Sequence, residues 1–343
     1  MPTLLLYAPA MGHTRPRHPE NHERLAGLLP FFEERGVLAE MKMVDPLPAS
    51  VSQLQRVHDL GLIESVRRAS RQGLLRLDAD TYVTERSFDL ALQAAGACCT
   101  AVDRLLLDQA RNGMALVRPP GHHAQHDRVG GFCLFNNIAV AARQAQALHD
   151  VQRVLIVDFD VHHGNGTQDI FYGDESVLFV SLHLFHPFFY PGTGAIDETG
   201  TGNGQGATLN VPFPPQVGDQ GYGRTFDEII IPRARRFRPE LILVSAGFDA
   251  HWQDPLASAA LSLTGYAAIS RLLIDLAGEL CDGRILFILE GGYLREALQA
   301  GLLNVAYALI GRDEIADPLG PMPDDEQDVS GLIDRLRDLH LLN

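Results

Sequence analysis

Residues 154–165 read Val-Leu-Ile-Val-Asp-Phe-Asp-Val-His-His-Gly-Asn, an apolar run that leads directly into acidic residues and histidines. A short β-branched run of this kind is typical of a strand that is buried on both faces of a parallel sheet. Alternate residues of a strand share a face, so Asp158, Asp160 and His162 project to the same side. Such polar groups are costly to bury unless something binds them. Because carboxylate and imidazole are good zinc ligands, Asp160 and His162 form a candidate ligand pair, with a hydrogen-bonded polar strand end as the alternative.

Five other apolar runs share this strand character, and helical patterns lie between them. The predicted strands are residues 4–7, 114–117, 154–157, 177–180, 241–244 and 285–289. Helices are predicted at residues 87–109, 137–147, 222–237, 265–281 and 330–342, and residues 191–206 are predicted to form a surface loop. This alternation predicts an α/β fold: a single domain over residues 1–343, with a central, mostly parallel β-sheet flanked by helices on both faces.

Two further strand ends carry candidates for a metal ligand and a general base, because functional residues gather past the carboxyl ends of strands in such folds. Asp249 follows the strand at 241–244. It could complete an Asp–His–Asp site with a position open for water, although a lone aspartate there is more often a helix cap. His122 and His123 follow the strand at 114–117. Two imidazoles beside a metal-bound water could supply a general base and a polarised partner, whereas an exposed pair of loop histidines is the alternative.

The fourth strand end carries a candidate oxyanion donor. The strand at 285–289 is followed by Glu-Gly-Gly-Tyr, residues 290–293. Two glycines free the backbone, so the Tyr293 hydroxyl could donate a hydrogen bond to a developing oxyanion; a tyrosine in a turn otherwise serves packing. Separate strand ends thus bring a candidate metal triad, a base pair and an oxyanion donor to one edge of the predicted sheet, which indicates an active site.

The composition restricts the class of partner and the location. The net charge is −15 and Lys42 is the only lysine, which argues against a nucleic-acid binder, although cationic substrates remain compatible. No apolar run reaches about 18 residues, so neither a membrane span nor a membrane partner is predicted. The four cysteines form no Cys-x-x-Cys pair. We interpret them as reduced thiols and predict a cytoplasmic location.

Taken in order, these segments resemble the histone deacetylase and acetylpolyamine amidohydrolase superfamily, whose fold is shared with arginases. The resemblance covers most of the chain. The motifs that carry it are residues 18–24 (HPENHER), 118–124 (RPPGHHA), 130–137 (GGFCLFNN), 158–169 (DFDVHHGNGTQD), 181–183 (SLH), 191–194 (PGTG), 247–249 (GFD) and 290–293 (EGGY). The run at 164–169, with Asn165, is similar to the class II branch of histone deacetylases.

The resemblance implies two bound ions. One catalytic Zn2+ would be held by Asp160, His162 and Asp249. A structural K+ would be held by the main chain around the residues Asp158, Asp160, His162, Ser181 and Leu182.

The resemblance also implies catalytic roles. His123 would be the general base, oriented by Asn165, while His122, oriented by Asp158, would act electrostatically. Tyr293 would bind the substrate carbonyl and stabilise the tetrahedral intermediate.

A narrow substrate channel is implied as well. Its lining residues would be Gly131, Phe132, Tyr190 and Leu256, with Arg24 near an inner channel for the acid product. Tyr190 stands where relatives usually have phenylalanine, so it either lines the wall or adds a polar contact.

The predicted reaction is zinc-dependent hydrolysis of N-acyl amides, with acyl-lysine side chains of peptides or proteins as the expected substrates and acylated small amines as the alternative. Leu256 stands where the polyamine-selective branch has glutamate, and residues 78–101 lack the long insertion of bacterial acetylpolyamine hydrolases. Both features favour acyl-lysine. An acetylpolyamine amidohydrolase, an arginase-like ureohydrolase with two manganese ions and a non-catalytic acyl-lysine binding module are the alternatives. The sequence leaves a homo-oligomer open.

Overall fold

A computed structural model describes residues 1–73, 76–186 and 188–342 of the chain. Its strands form one eight-stranded sheet in the order β2-β1-β3-β8-β7-β4-β5-β6, and every neighbouring pair is parallel. The strands are β1 Thr3–Ala8, β2 Met41–Val44, β3 Asn112–Val117, β4 Val154–Asp158, β5 Val177–Leu184, β6 Thr208–Phe213, β7 Leu241–Ala246 and β8 Ile285–Leu289.

Helices lie between the strands and after the last strand. They are α1 Leu28–Glu34, α2 Val51–Leu54, α3 Leu60–Arg71, α4 Ser87–Leu106, α5 Asn137–His149, α6 Asn165–Phe171, α7 Asp219–Thr225, α8 Ile231–Phe237, α9 Leu263–Leu280, α10 Arg295–Ile310 and α11 Ser330–Leu339. A π-helical turn, Phe226–Ile230, joins α7 to α8. Among the helices of the described ranges, none combines the length and the apolar character needed to cross a bilayer.

Two hydrophobic cores lie on opposite faces of the sheet, because successive side chains of each strand point to opposite faces. In β4, Leu155 and Val157 join one core, whereas Val154 and Ile156 join the other. Helices α1 and α7 to α11 contribute to the first core, and α2 to α6 contribute to the second. The predicted α/β fold, with a parallel sheet between two layers of helices, is confirmed.

The two outermost strands were not predicted, and their sequences explain why. Only the two ends of β2, a Met-Lys-Met-Val segment, are buried, so it lacks a continuous apolar run. Strand β6 contains Pro212, and a proline in a sequence argues against a strand. The structure accommodates it because β6 is an edge strand, where no ladder hydrogen bond from that residue is required. Helix α10 was also missed: nearly all its residues are buried, so it shows no polar face from which a helical period can be read.

The four strands that end in candidate site residues are neighbours in the sheet. They are β3, β8, β7 and β4, in that order. Parallel strands place their carboxyl ends at the same edge, so the residues that follow them meet there.

A close helix contact gives a test of this packing. A Cβ added to Gly96 in α4 would lie 1.9 Å from Leu47 O and 2.4 Å from Ala49 N. We expect Gly96→Ala to lower the free energy of unfolding by about 1–3 kcal/mol, because the backbone must move to make room. Gly278→Ala in α9, where an added Cβ meets nothing within 4 Å, is expected to raise it by up to about 1 kcal/mol. Urea denaturation measures both, and equal stability of the two variants would contradict the described contact.

Candidate active site

The three predicted metal ligands lie together at the carboxyl edge of the sheet. Asp160 and His162 follow β4, and Asp249 follows the neighbouring β7. His162 Nδ1 is 3.1 Å from Asp160 Oδ1 and 3.3 Å from Asp249 Oδ2. One ligand atom from each residue lies within 4.8 Å of the other two. Tetrahedral bonds of about 2.0–2.2 Å to zinc would separate ligand atoms by about 3.3–3.5 Å, close to these spacings.

The surroundings of the two carboxylates fit a bound cation. Gly291 N donates to Asp160 Oδ2 at 2.8 Å and Val161 N donates to Asp249 Oδ1 at 2.9 Å, so a backbone amide holds each carboxylate. Asp249 Oδ2 is buried and, apart from the 3.3 Å contact with His162 Nδ1, makes no hydrogen bond within the described part of the chain. Such an oxygen is costly to bury without a ligand. A side chain at Gly291 would collide with it, since an added Cβ would lie 2.0 Å away.

The tandem histidines are buried and line the same cavity as His162 of the triad. His122 Nδ1 donates to Asp158 Oδ2 at 2.9 Å. His123 Nδ1 donates to Asn165 Oδ1 at 2.7 Å, and the two rings lie 3.9 Å apart. In each ring the other nitrogen, Nε2, is therefore the one available to a substrate or a water molecule.

The surroundings of the two histidines shift their pKa values in opposite directions. Burial and the neighbouring charges of His122 and His162 lower the pKa of His123 well below its ordinary value, which favours a neutral ring. Burial also opposes protonation of His122, but the carboxylates of Asp158 and Asp160 outweigh it and raise the pKa of that ring to about 10. One histidine is thus suited to accept a proton and the other to carry positive charge.

A cavity of about 290 Å³ opens above these residues. Its lining residues are Asp80, Pro120, His122, His123, Gly131, Phe132, His162, Phe189, Tyr190, Leu256, Gly291 and Tyr293. The set includes all four residues predicted to line the channel walls. Only glycine fits at 131, because an added Cβ would lie 2.2 Å from His123 Cδ2 and 2.9 Å from Tyr190 Cε1.

Arg24 lies behind this cavity and not in it. Its Nε donates to Gly292 O at 2.9 Å, its Nη2 donates to Glu290 O at 2.7 Å, and its guanidinium lies 4.9 Å from the Tyr293 ring centroid. Arg24, Gly292 and Tyr293 also line a separate cavity of about 170 Å³. The Gly-Gly-Tyr turn therefore forms a wall between two cavities.

The residues predicted for a monovalent cation lie along the β4–β5 pair. Asp158 and Ser181 are register partners, and Leu182 follows in β5. All three are fully buried. The Ser181 hydroxyl is 3.0 Å from His183 Nδ1.

Three residues that the sequence did not single out also shape the site. Asp80 contributes a carboxylate to the cavity wall, and its only sequence signal is an Asp-Ala-Asp segment before α4. Phe189 stacks on the His162 ring at 4.9 Å. Buried Glu290 accepts hydrogen bonds from Gly121 N at 2.6 Å and from His122 N at 3.2 Å, so it fixes the histidine loop from the end of β8.

The chain is similar to known proteins over most of its length. Residues 18–309 match the family model described as "Histone deacetylase domain". The chain is 40% identical over 356 residues to histone deacetylase 10, chloroplastic, of Oryza sativa subsp. japonica, covering 98% of this chain and 80% of that protein. It is 40% identical over 314 residues to a probable deacetylase of Archaeoglobus fulgidus, covering 90% and 86%. It is 39% identical over 311 residues to a histone deacetylase-like amidohydrolase of Pseudomonas aeruginosa, covering 90% and 80%. The crystal structure of the HDA15 HD domain superposes with a TM-score of 0.89 at 37% identity, covering 99% of this chain and 96% of that one.

The buried ion cluster behind the site gives a test that depends on pH. Glu20 pairs with Arg24 and, at 2.6 Å, with Arg118. Burial opposes ionisation of Glu20, but Arg118 and Arg24 outweigh it and lower its pKa from 4.5 to about 2. Its stabilising effect is therefore full above pH 4.5 and is lost as the pH falls towards 2.

We expect Glu20→Gln to lower the free energy of unfolding at pH 7 by about 3–5 kcal/mol, because two buried arginines lose their partner. The difference from the wild type should shrink as the pH falls from 4.5 towards 2, as urea denaturation across this range would show. Glu279→Gln, which breaks an exposed pair with Arg235, is the control and should leave stability nearly unchanged. A difference for Glu20→Gln that is small at pH 7 or constant with pH would contradict the described cluster.

Proposed function

The chain belongs to the histone deacetylase family, and from this membership we propose that it is a zinc-dependent deacetylase acting on the acyl-lysine side chains of peptides or proteins. Deacetylase or amidohydrolase chemistry is what the family supports. The observation that carries the finer proposal is one cavity lined by His122, His123, His162 and Tyr293. His162 belongs to the buried triad with Asp160 and Asp249.

Zn2+ is the cofactor that we propose for the triad. Two carboxylates and one imidazole are a donor set that zinc accepts, and three protein ligands leave a position open for substrate or water. When bound there, zinc would polarise the substrate carbonyl and activate the attacking water for hydrolysis.

His123 is the proposed general base. Its Nδ1 donates to Asn165, which fixes the tautomer and leaves Nε2 free to accept the proton of the attacking water. The same nitrogen then returns the proton to the leaving amine, so that the free amine and the carboxylic acid form. His122, paired with Asp158, keeps its proton and stabilises negative charge nearby.

Tyr293 is the proposed oxyanion donor. Burial raises the pKa of its hydroxyl well above the ordinary value, so the hydroxyl keeps its proton and can donate it as a hydrogen bond. That donation would strengthen as the substrate carbonyl oxygen gains negative charge, which lowers the barrier for the chemical step.

The walls of the cavity support a linear acyl-amine substrate. Phe132, Leu256 and the ring of Tyr190 are apolar surfaces along which a lysine side chain can pack. Asp80 is the exception, and its carboxylate can accept a hydrogen bond from a peptide N–H or pair with an ammonium group. Because Asp80 can pair with an ammonium group, acetylpolyamines stay the alternative substrate class.

Two further proposals concern the domain organisation and a second ion. We propose that residues 1–343 act as one catalytic domain and that a structural K+ lies beside β4 and β5. The cytoplasmic location stays a prediction; the described cysteines are free, while the rice relative carries "chloroplastic" in its name. A homo-oligomer stays open.

Removal of one hydroxyl tests the mechanism. We expect Tyr293→Phe to lower kcat on an acetyl-lysine peptide by on the order of 100-fold or more, with unchanged zinc content and fold, because the oxyanion loses a donor. Tyr307→Phe, a buried tyrosine in α10 away from the cavity, is the matched control and should keep wild-type turnover. Near-normal turnover by Tyr293→Phe would overturn the proposed function.

A substrate panel tests the substrate class. We expect kcat/KM for acetyl-lysine peptides to exceed that for acetylputrescine and acetylspermidine by at least about 10-fold, because the walls carry one carboxylate among apolar surfaces. A metal chelator should abolish turnover of every substrate, and added zinc should restore it. Preference for the acetylpolyamines would replace the proposed substrate class, and turnover that survives chelation would contradict the metal dependence.

A further inference from the structure

The turn that carries Tyr293 has little rigidity of its own. Gly291 and Gly292 precede the tyrosine, and Gly292 has a φ of 116°, a conformation that only glycine adopts readily. The position of the phenol must therefore be set by partners of the turn's main chain. Three of these contacts are on its carbonyl groups: Arg24 donates to Glu290 O and Gly292 O, and Phe248 N donates to Gly291 O at 3.1 Å.

The amide groups that follow the glycines have a different partner, Asp254. Its Oδ2 accepts from Tyr293 N at 2.7 Å and from Leu294 N at 3.1 Å. Its Oδ1 accepts from Leu256 N at 3.0 Å. Only 5% of Asp254 is exposed, and its own amide donates to His251 O at 2.8 Å, so the carboxylate is held in place.

We propose that Asp254 is a positioning residue for the reaction, which sets the place of the Tyr293 hydroxyl by holding the main-chain N–H groups of Tyr293 and Leu294. Together with Arg24 it holds the turn from both sides, with guanidinium donors on the carbonyl groups and a carboxyl oxygen as acceptor for the amide groups. The same carboxylate anchors the segment that carries Leu256, so the cavity wall and the oxyanion donor share one support. This role rests on the proposed function, because it acts through Tyr293.

The expected effect is on catalysis more than on binding. Loss of the carboxylate leaves two adjacent amides without their acceptor and frees a turn that has two glycines. A displacement of the phenol by about 1 Å is enough to cost on the order of 100-fold in rate, because the hydrogen bond to the oxyanion depends on geometry. Substrate affinity depends mainly on the other walls of the cavity, so KM should change little.

Asp254→Ala and Asp254→Asn test the proposal, with Asp219→Ala as the matched control. Asp219 likewise holds the start of a long helix through a carboxyl group. It accepts from Ser262 N at 2.8 Å and from the Ser262 hydroxyl, and Ser262 directly precedes α9. Asp219 does not line the cavity. We expect Asp254→Ala to lower kcat by about 10- to 100-fold at unchanged KM and zinc content. Asp254→Asn keeps one oxygen for Tyr293 N and Leu294 N, so it should retain more of the turnover. Asp219→Ala should lower the melting temperature without changing kcat.

A double-mutant cycle with Tyr293→Phe separates positioning from general damage. If Asp254 acts through the hydroxyl, Asp254→Ala should have almost no further effect on kcat in the Tyr293→Phe background. Additive losses, or normal kcat in both Asp254 variants, would overturn the positioning role while leaving the proposed function in place. If Asp254→Ala does not fold, Asp254→Asn carries the same cycle. Normal turnover by Tyr293→Phe alone would instead overturn the proposed function.

Discussion

Buried charge at the carboxyl ends of four adjacent strands is the constraint on which the site depends. Asp158, Asp160 and Asp249 are fully buried, and the transfer of an isolated carboxylate from water into a protein interior is costly. Each carboxylate is compensated by a backbone amide, by an imidazole or by both. The least compensated oxygen is Asp249 Oδ2: its one contact among the described residues is with His162 Nδ1 at 3.3 Å, which indicates a ligand that completes the site. The candidate metal site and the sheet edge are therefore one electrostatic arrangement.

The turn after β8 connects this arrangement to the reacting groups. Gly291 N holds Asp160, Glu290 holds the histidine loop through Gly121 N, and Tyr293 lines the cavity. Gly291 and Glu290, which have no proposed contact with the reacting atoms, thus hold the residues that are proposed to react. Small backbone shifts at this turn are expected to move the proposed metal ligands, base and oxyanion donor together, because hydrogen bonds connect them.

The sequence predicted the fold and the family, and both are confirmed. Alternating apolar runs revealed the six central strands, since a strand buried on both faces reads as a continuous apolar segment. The edge strands β2 and β6 were not predicted because neither has a continuous apolar run: β2 is buried only at its two ends, and β6 is interrupted by Asn210 and Pro212. The spacing of Asp158, Asp160 and His162 predicted that they share a face. The rule that functional residues gather past the carboxyl ends of parallel strands predicted that Asp249 lies near them. Asp80, Phe189 and Asp254 could not be found in this way, because their place at the site depends on loop paths that no period encodes.

The proposed function depends on Asp160, His162 and Asp249 binding one zinc ion. X-ray absorption at the zinc edge, on protein loaded with one equivalent of zinc, tests it most directly. We expect a single zinc with one imidazole nitrogen and carboxylate oxygens at about 2.0–2.2 Å, and loss of this signature in Asp249→Asn. Sulfur ligands, a second metal at about 3.5–4 Å, or an unchanged spectrum in Asp249→Asn would contradict it.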